Sequence, residues 1–171
     1  MTDVAGPPGH EPQRAPQLRL DRARTDGFVR AATALLDAGA SANTGFWENS
    51  HQPQPEWESV LYGAAGVAHH PALTRLLLER GGDPNDEETP YHAPETHDNA
   101  ALRVLLDSGK LTAESLATLL LRKADWHDYE GIVLLLDHGA DPNRMTRWHH
   151  TALHQALRRD NALKNIEALL D

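Results

Sequence analysis

The sequence predicts an all-α solenoid of about five helix–turn–helix units with short turn fingers. Three observations carry this reading. The phrase Leu35-Leu36-Asp37-Ala38-Gly39-Ala40 returns as Leu77-Leu78-Glu79-Arg80-Gly81-Gly82, as Leu105-Leu106-Asp107-Ser108-Gly109 and as Leu135-Leu136-Asp137-His138-Gly139-Ala140, and it begins again at Leu169-Leu170-Asp171. A second phrase precedes the copies, clearest in Thr89-Pro90-Tyr91-His92-Ala93 and Thr151-Ala152-Leu153-His154-Gln155-Ala156. The residues ahead of and within each Leu-Leu pair are apolar at helical spacing. The first leucines stand at 35, 77, 105, 135 and 169, so the intervals are 42, 28, 30 and 34. A repeat of that length is one supersecondary unit that cannot bury its own apolar face and must stack on its neighbours.

Taken in order, residues 1–16 contain Pro7, Pro8, Pro12 and Pro16 with little apolar content and are expected to be a disordered tail. Unit one covers 17–43. Leu18-Arg19-Leu20-Asp21-Arg22-Ala23 keeps the apolar positions of a first helix, and Phe28, Ala31, Ala32 and Leu35 form the stripe of a second. Residues 44–58 are an insertion that carries Phe46, Trp47 and Trp57 among polar residues and prolines; it accounts for the long first interval and reads as an aromatic loop. Unit two is 59–86, opened by Ser59 as an N-cap and carrying Leu73, Leu76 and Leu77.

Unit three is 87–110, with Thr89 as cap and Pro90 at the first helical position. Pro94 interrupts its first helix, which should be short, and Glu95-Thr96-His97-Asp98-Asn99 reads as loop. Ala101, Leu102, Leu105 and Leu106 mark its second helix. Unit four is 111–143, with Thr112 as cap, Glu114 in the first turn, a long helix from Ala113 to about Ala124, and Ile132, Leu135 and Leu136 on the next. Gly109-Lys110-Leu111 leaves no room for a projecting finger before it. Unit five is 144–171 and stops before its closing glycine, with Leu163, Ile166, Leu169 and Leu170 only partly able to find cover. Two readings stand: a short form with a makeshift cap, or a piece of a longer protein. Elsewhere the glycine two residues after each Leu-Leu-acid triplet ends the helix in a left-handed conformation, and Asp83-Pro84-Asn85 and Asp141-Pro142-Asn143 make turns, with Asn43 a remnant of the same motif.

The chain therefore resembles the ankyrin repeat family, whose T-P-L-H-x-A signature and G-A-D-P-N turn recur here in phase over about residues 17–171. The resemblance implies a non-catalytic protein–protein interaction module. It implies that the signature histidines, His92 and His154, are structural and bond to backbone across neighbouring units. It also implies that turn fingertips and first helices form a concave binding face. Carried over residue by residue, that places Trp47, Glu87, Glu88, Arg147, Trp148 and His149 at fingertips, Arg122, Gln155 and Arg158 on first helices, and Trp57 in the insertion beside them.

Composition narrows the classes. The absence of cysteine excludes disulfides, thiol catalysis and Cys-type zinc sites. A net charge of −9 argues against nonspecific nucleic-acid binding. No apolar run approaches a membrane span and no basic leader precedes an apolar stretch. The expectation is a monomeric cytoplasmic protein with no cofactor, no metal and another protein as partner. Charge is uneven: from Asp83 to Asp107 seven acids face one base, and from Arg144 to Arg159 four arginines and three histidines occur with no acid. Solvated faces on different units explain this; so does a binding surface of opposed potentials that steers a partner.

Among constellations that could carry chemistry, His150 and His154 have the i, i+4 spacing of two imidazoles on one metal. Yet His150 precedes the cap Thr151, and no Glu lies between the two. His69-His70 reads as a loop, and Asp125, His127 and Asp128 as an exposed turn. Trp, Tyr and Arg dominate binding hot spots, and most of the nine aromatics lie outside the helical stripes. Besides partner binding, two other classes remain: an inhibitor or immunity-type protein that blocks a specific enzyme or toxin, and a metal-dependent hydrolase built on the His-rich segment. An intact mass of the native gene product near 18.9 kDa decides for the short form; a larger mass decides for the fragment.

Overall fold

The computed structural model describes residues 22–49 and 53–170; the tail expected at 1–16 and the start of unit one lie outside them. Helix α1 spans Arg22–Asp37. A hairpin follows, β1 Gly45–Glu48 and β2 Glu56–Ser59. Then come α2 Val60–Tyr62, prolonged by a π-helical turn Gly63–Val67, and α3 Pro71–Glu79. Helix α4 is Glu88–His92, α5 Ala100–Asp107, α6 Ala113–Asp125 and α7 Tyr129–Asp137. Helices α8 Ala152–Arg158 and α9 Leu163–Ala168 complete the described residues.

The helices pack in two rows. Helix α2 with its π turn, α4, α6 and α8 succeed one another in the first row. In the second, α1 packs on α3, α3 on α5, and α7 on α9. Between the rows lie the most deeply buried side chains, among them Leu61, Leu102, Leu105, Leu119, Leu120, Ile132 and Leu135. Each such leucine contributes about 1.5–3 kcal/mol by leaving water. The helical periodicity of the sequence thus became the wall between the rows.

Polar side chains clamp one unit to the next. The Asn43 amide donates to Gly81 O at 2.9 Å and accepts from Asp83 N–H at 2.8 Å. Asn85 repeats this one unit on: it donates to Lys110 O at 3.0 Å and accepts from Thr112 N–H at 2.8 Å and the Ser115 hydroxyl at 2.7 Å. Lys110 reaches back to Leu78 O at 2.6 Å. The turn residues read from the sequence behave as expected, with Asn85 N–H and Asn143 N–H donating to Asp83 and Asp141 at 3.0 and 2.9 Å. At the remnant, Ser41 replaces the aspartate and accepts from Asn43 N–H at 3.1 Å. The glycines that follow Leu-Leu all have φ between 64 and 96°.

A second periodic feature carries no glycine signal. His69, His127 and Asp160 turn the chain between the two helices of a unit at φ 45, 53 and 50°. In each case the next residue's N–H returns to the first helix: His70 to Ala64 O, Asp128 to Lys123 O, and Asn161 to Ala156 O, at 2.8, 3.1 and 3.0 Å.

Several expectations are corrected. The first helix expected over Leu18–Ala23 falls mainly outside the described residues, and within them a single helix runs from Arg22 to Asp37. It is the second-row member, and Phe28 and Leu35 are half or more exposed, because no first-row helix covers them among the described residues. They line an apolar groove of about 470 Å³ with Phe46, Val60, Leu73 and Leu77. The insertion is a β-hairpin rather than a loop, since Trp47 and Trp57 stand directly opposite and Phe46 opposes Glu58. Thr89 is not the cap of α4. Glu87 stands at the N-cap position without a side-chain cap bond, and Asp86, one residue earlier, accepts from Thr89 N–H at 2.7 Å, while its carboxylate also receives the Ser59 and Thr89 hydroxyls. Burial holds the Asp86 carboxyl above its ordinary pKa against these bonds. Ser59, Thr112 and Thr151 do cap their helices as read, and the short α4 before Pro94 and the long α6 follow expectation.

The turn Asp125–Asp128 is not open to solvent at its acids. Lys123, whose side chain is fully buried, donates to Asp128 Oδ2 at 2.7 Å and to Thr96 O at 2.6 Å. Asp128 also caps α7 through Gly131 N–H at 3.0 Å and receives Asn99 at 3.0 Å. A Cβ on Gly131 would lie 2.5 Å from Lys123 Cδ, so only glycine leaves room for this lysine. Burial pushes the Lys123 pKa down, while the bond to Lys123 holds Asp128 below the usual carboxylate range in spite of burial. Removing one partner of a buried pair strands the other. Lys123→Ala is therefore expected to cost about 3–5 kcal/mol in urea unfolding, and Asn85→Ala about 2 kcal/mol through its lost clamp.

Candidate functional site

The first row of helices exposes a line of rings. Tyr62 at the end of α2 lies 5.2 Å from His92 on α4, measured between ring centroids. His92 lies 4.8 Å from Tyr91, and Tyr91 5.5 Å from Trp148 in the finger before α8. All four are half-buried. Gly66 permits the first contact: a Cβ there would come within 2.8 Å of His92 Cβ and 3.0 Å of the Tyr62 ring.

Charged groups lace the line together. The Arg122 guanidinium sits 4.1 Å above the Tyr91 ring centroid and donates to Tyr91 O at 3.1 Å. It also pairs with Glu95 and Asp125. Asp125 in turn receives Gln155 and, at 2.6 Å, Arg159. The Arg147 guanidinium lies 4.6 Å above Trp148 and pairs with Glu87 on the neighbouring finger. Residues from three units thus hold one another in place, an arrangement that would lower the ordering cost of any binding there.

His92 carries a fixed positive charge. Its Nε2 faces Glu88 Oε2 at 3.2 Å and its Nδ1 faces Glu95 Oε2 at 3.1 Å. Two carboxylates only accept, so both ring nitrogens must carry protons. Burial alone would lower the pKa; the bonds to Glu88 and Glu95 reverse this and raise it to about 9. The expected cross-unit bond to backbone is therefore replaced by side-chain partners of its own unit. His154 departs likewise: its Nδ1 meets the Thr151 hydroxyl at 2.8 Å and closes a capping box within its own helix.

Glu87, Arg122, Arg147 and Trp148 lie in this assembly, with Glu88 joined through His92 and Gln155 through Asp125. Arg158 donates to His150 Nε2 at 2.8 Å beside it, and His150 Nδ1 donates to Trp148 O. His149 stands exposed at a fingertip with φ 57°, matching Glu87 at φ 71° on the other finger. Trp47 and Trp57 form a separate edge-to-face pair, centroids 5.3 Å apart, on the hairpin. That hairpin adjoins the Tyr62 end, since β2 packs on α4. The residue reading missed Tyr62, His92, Glu95, Asp125 and Arg159. The acids at Glu88 and Glu95 on either side of His92 in the sequence were the available signal; Asp125 and Arg159 meet only through tertiary packing. Among the described residues no group of three or more His, Asp or Glu is placed to share a metal ion.

Residues 120–170 match the family described as ankyrin repeats (many copies). Over this segment the chain is similar to ankyrin repeats. That match runs from the last turns of α6 through α7, α8 and α9, and such repeats are in general protein–protein interaction modules. No curated protein matches the chain. Among its described residues no helix is long and apolar enough to cross a membrane.

The charge on His92 sets a pH dependence. Its folded pKa lies above the unfolded value near 6.5, so its stabilisation is full below about 6.5 and is lost as pH rises through about 9. The melting temperature is expected to fall over that window, and His92→Gln to flatten the fall. An unchanged slope in the variant would remove the imidazolium from the account.

Proposed function

We propose that the chain is a non-catalytic, monomeric cytoplasmic module. In this reading it is a solenoid of about five ankyrin-type units, with unit boundaries near 17–43, 59–86, 87–110, 111–143 and 144–171. It holds a partner protein on the face made by α2, α4, α6 and α8 and the turn fingers. The observation that carries this reading is the ring line Tyr62–His92–Tyr91–Trp148, prearranged by Arg122, Arg147 and their carboxylates across three units. Aromatic and arginine side chains of this kind supply most of the energy at protein interfaces. The contact residues are Trp47, Trp57, Glu87, Glu88, Arg122, Arg147, Trp148, His149, Gln155 and Arg158, joined by Tyr62 and Tyr91. A blocking protein that caps an enzyme or toxin would use the same face.

The test is affinity capture from the native host with the wild-type chain beside Trp57→Ala/Trp148→Ala. A stoichiometric protein should be retained by the first and weakened by more than about 2 kcal/mol in the second, with melting little changed. Equal retention by the variant would sink the assignment of this face.

A further inference from the structure

Arg144 and Arg147 stand in the finger before α8, and Arg158 and Arg159 at the end of that helix. Three of the four meet a carboxylate: Arg144 that of Glu114, Arg147 that of Glu87 and Arg159 that of Asp125. Arg158 does not. Among the described residues its partner is the His150 imidazole, whose Nε2 accepts from Arg158 Nη1 at 2.8 Å. His150 Nδ1 faces Trp148 O. A carbonyl oxygen only accepts and a guanidinium only donates, so the His150 proton sits on Nδ1 and Nε2 is bare. The ring is neutral in this arrangement and leaves the charge of Arg158 uncancelled. It also ties Arg158 to the backbone of Trp148, the last ring of the line. A guanidinium carries five N–H groups in a planar fork, so a contact through Nη1 leaves the edge formed by Nε and Nη2 uncommitted. His154 adds a further donor at this corner, its ring centroid 6.4 Å from that of His150. Its Nδ1 accepts from Thr151 N–H at 3.4 Å in the capping box, which places the proton of the neutral ring on Nε2.

We infer that this corner takes the side-chain carboxylate of an Asp or Glu in the partner protein, bound by Arg158 with His150 as its positioning residue, while an apolar side chain of the same segment rests on Tyr91 and Trp148. The inference rests on the protein-binding reading above and names the chemistry that one end of the face selects. A carboxylate matches the open edge of Arg158 with two parallel N–H···O bonds, and such charge-assisted pairs are the strong ones. Its one negative charge matches the one positive charge left over. A phosphate brings about −1.5 to −2, and the neighbouring arginines already hold acids, so the corner offers it no second uncancelled arginine. Because His150 holds the guanidinium beforehand, less side-chain freedom is lost on contact. A Lys or Arg of a wrong partner would meet like charge here, which is how an interface rejects it.

The experiment selects a displayed random-peptide library on the intact purified chain and counter-selects on Tyr91→Ala/Trp148→Ala. Enriched peptides that depend on the ring line are expected to share an Asp or Glu beside an apolar anchor. The best of them is synthesised with that acid, with its amide and with phosphoserine in its place, and each is followed by fluorescence anisotropy on the wild-type chain and on Arg158→Gln. The amide peptide and the Arg158→Gln chain should each lose about tenfold or more in affinity. The two changes together should cost little more than either alone, since both remove the same contact. His150→Ala should weaken the acidic peptide and leave the amide peptide unchanged, which a general loss of structure would not do. Circular dichroism checks that each variant folds, and the change on the peptide needs no protein variant. Ring-dependent peptides without a shared acid, or losses that add in full, would overturn the carboxylate site and leave the protein-binding reading standing. Tighter binding of the phosphoserine peptide would overturn the choice of carboxylate, and an acidic peptide indifferent to His150→Ala would overturn the role of His150. No ring-dependent peptide at all would overturn both readings.

Discussion

A helical hairpin of this length has more apolar surface than it can cover by itself. Everything else in the chain follows from that constraint. Leu102, Leu105, Leu119, Leu120, Ile132 and Leu135 are buried because neighbouring hairpins supply the missing wall. The rows they create then leave the other sides of α2, α4, α6 and α8 to the surface, where polar and aromatic residues can be arranged for recognition. Among the described residues no first-row helix packs on α1, and Phe28 and Leu35 are exposed there.

Stacking by apolar contact alone specifies little about register. The asparagine clamps supply it. Asn43 and Asn85 each tie a turn to the backbone of the following one, so one amide satisfies a donor and an acceptor on a neighbour at once. The joint between α5 and α6 lacks an Asp-Pro-Asn turn, and different chemistry holds this region. Lys110 reaches back to Leu78, and farther along the buried Lys123–Asp128 pair holds the loop after α4 through Thr96 and Asn99. Proline at 94 had already shortened α4, and that loop needs an external anchor. The lysine supplies it, in space that Gly131 leaves free.

The face proposed for recognition is a by-product of the same packing. Arg122 sits on the long α6 and reaches Tyr91 on the preceding first-row helix, while Asp125 at its end collects Gln155 and Arg159 from the following one. Each unit thus contributes half of a pair completed next door.

The sequence by itself determined the repeat, the helical class, the helix-ending glycines, the Asx turns and most caps, because each is decided by a few adjacent residues acting on local backbone. It also pointed to Arg122, Arg147, Trp148, Glu87 and Gln155, through the repeat's phase. Only the tertiary structure decided that the Asp86 carboxylate holds the start of α4 through Thr89, that the insertion pairs as a hairpin, and that the acids of the Asp125–Asp128 turn face inward. The hairpin pairs residues 8 to 14 apart, and the carboxylates depend on partners 27 or more residues away: Ser59 for Asp86, Gln155 for Asp125 and Asn99 for Asp128. A carboxylate's neighbours along the chain say nothing of which distant hydroxyl, amide or cation the stack will bring to it.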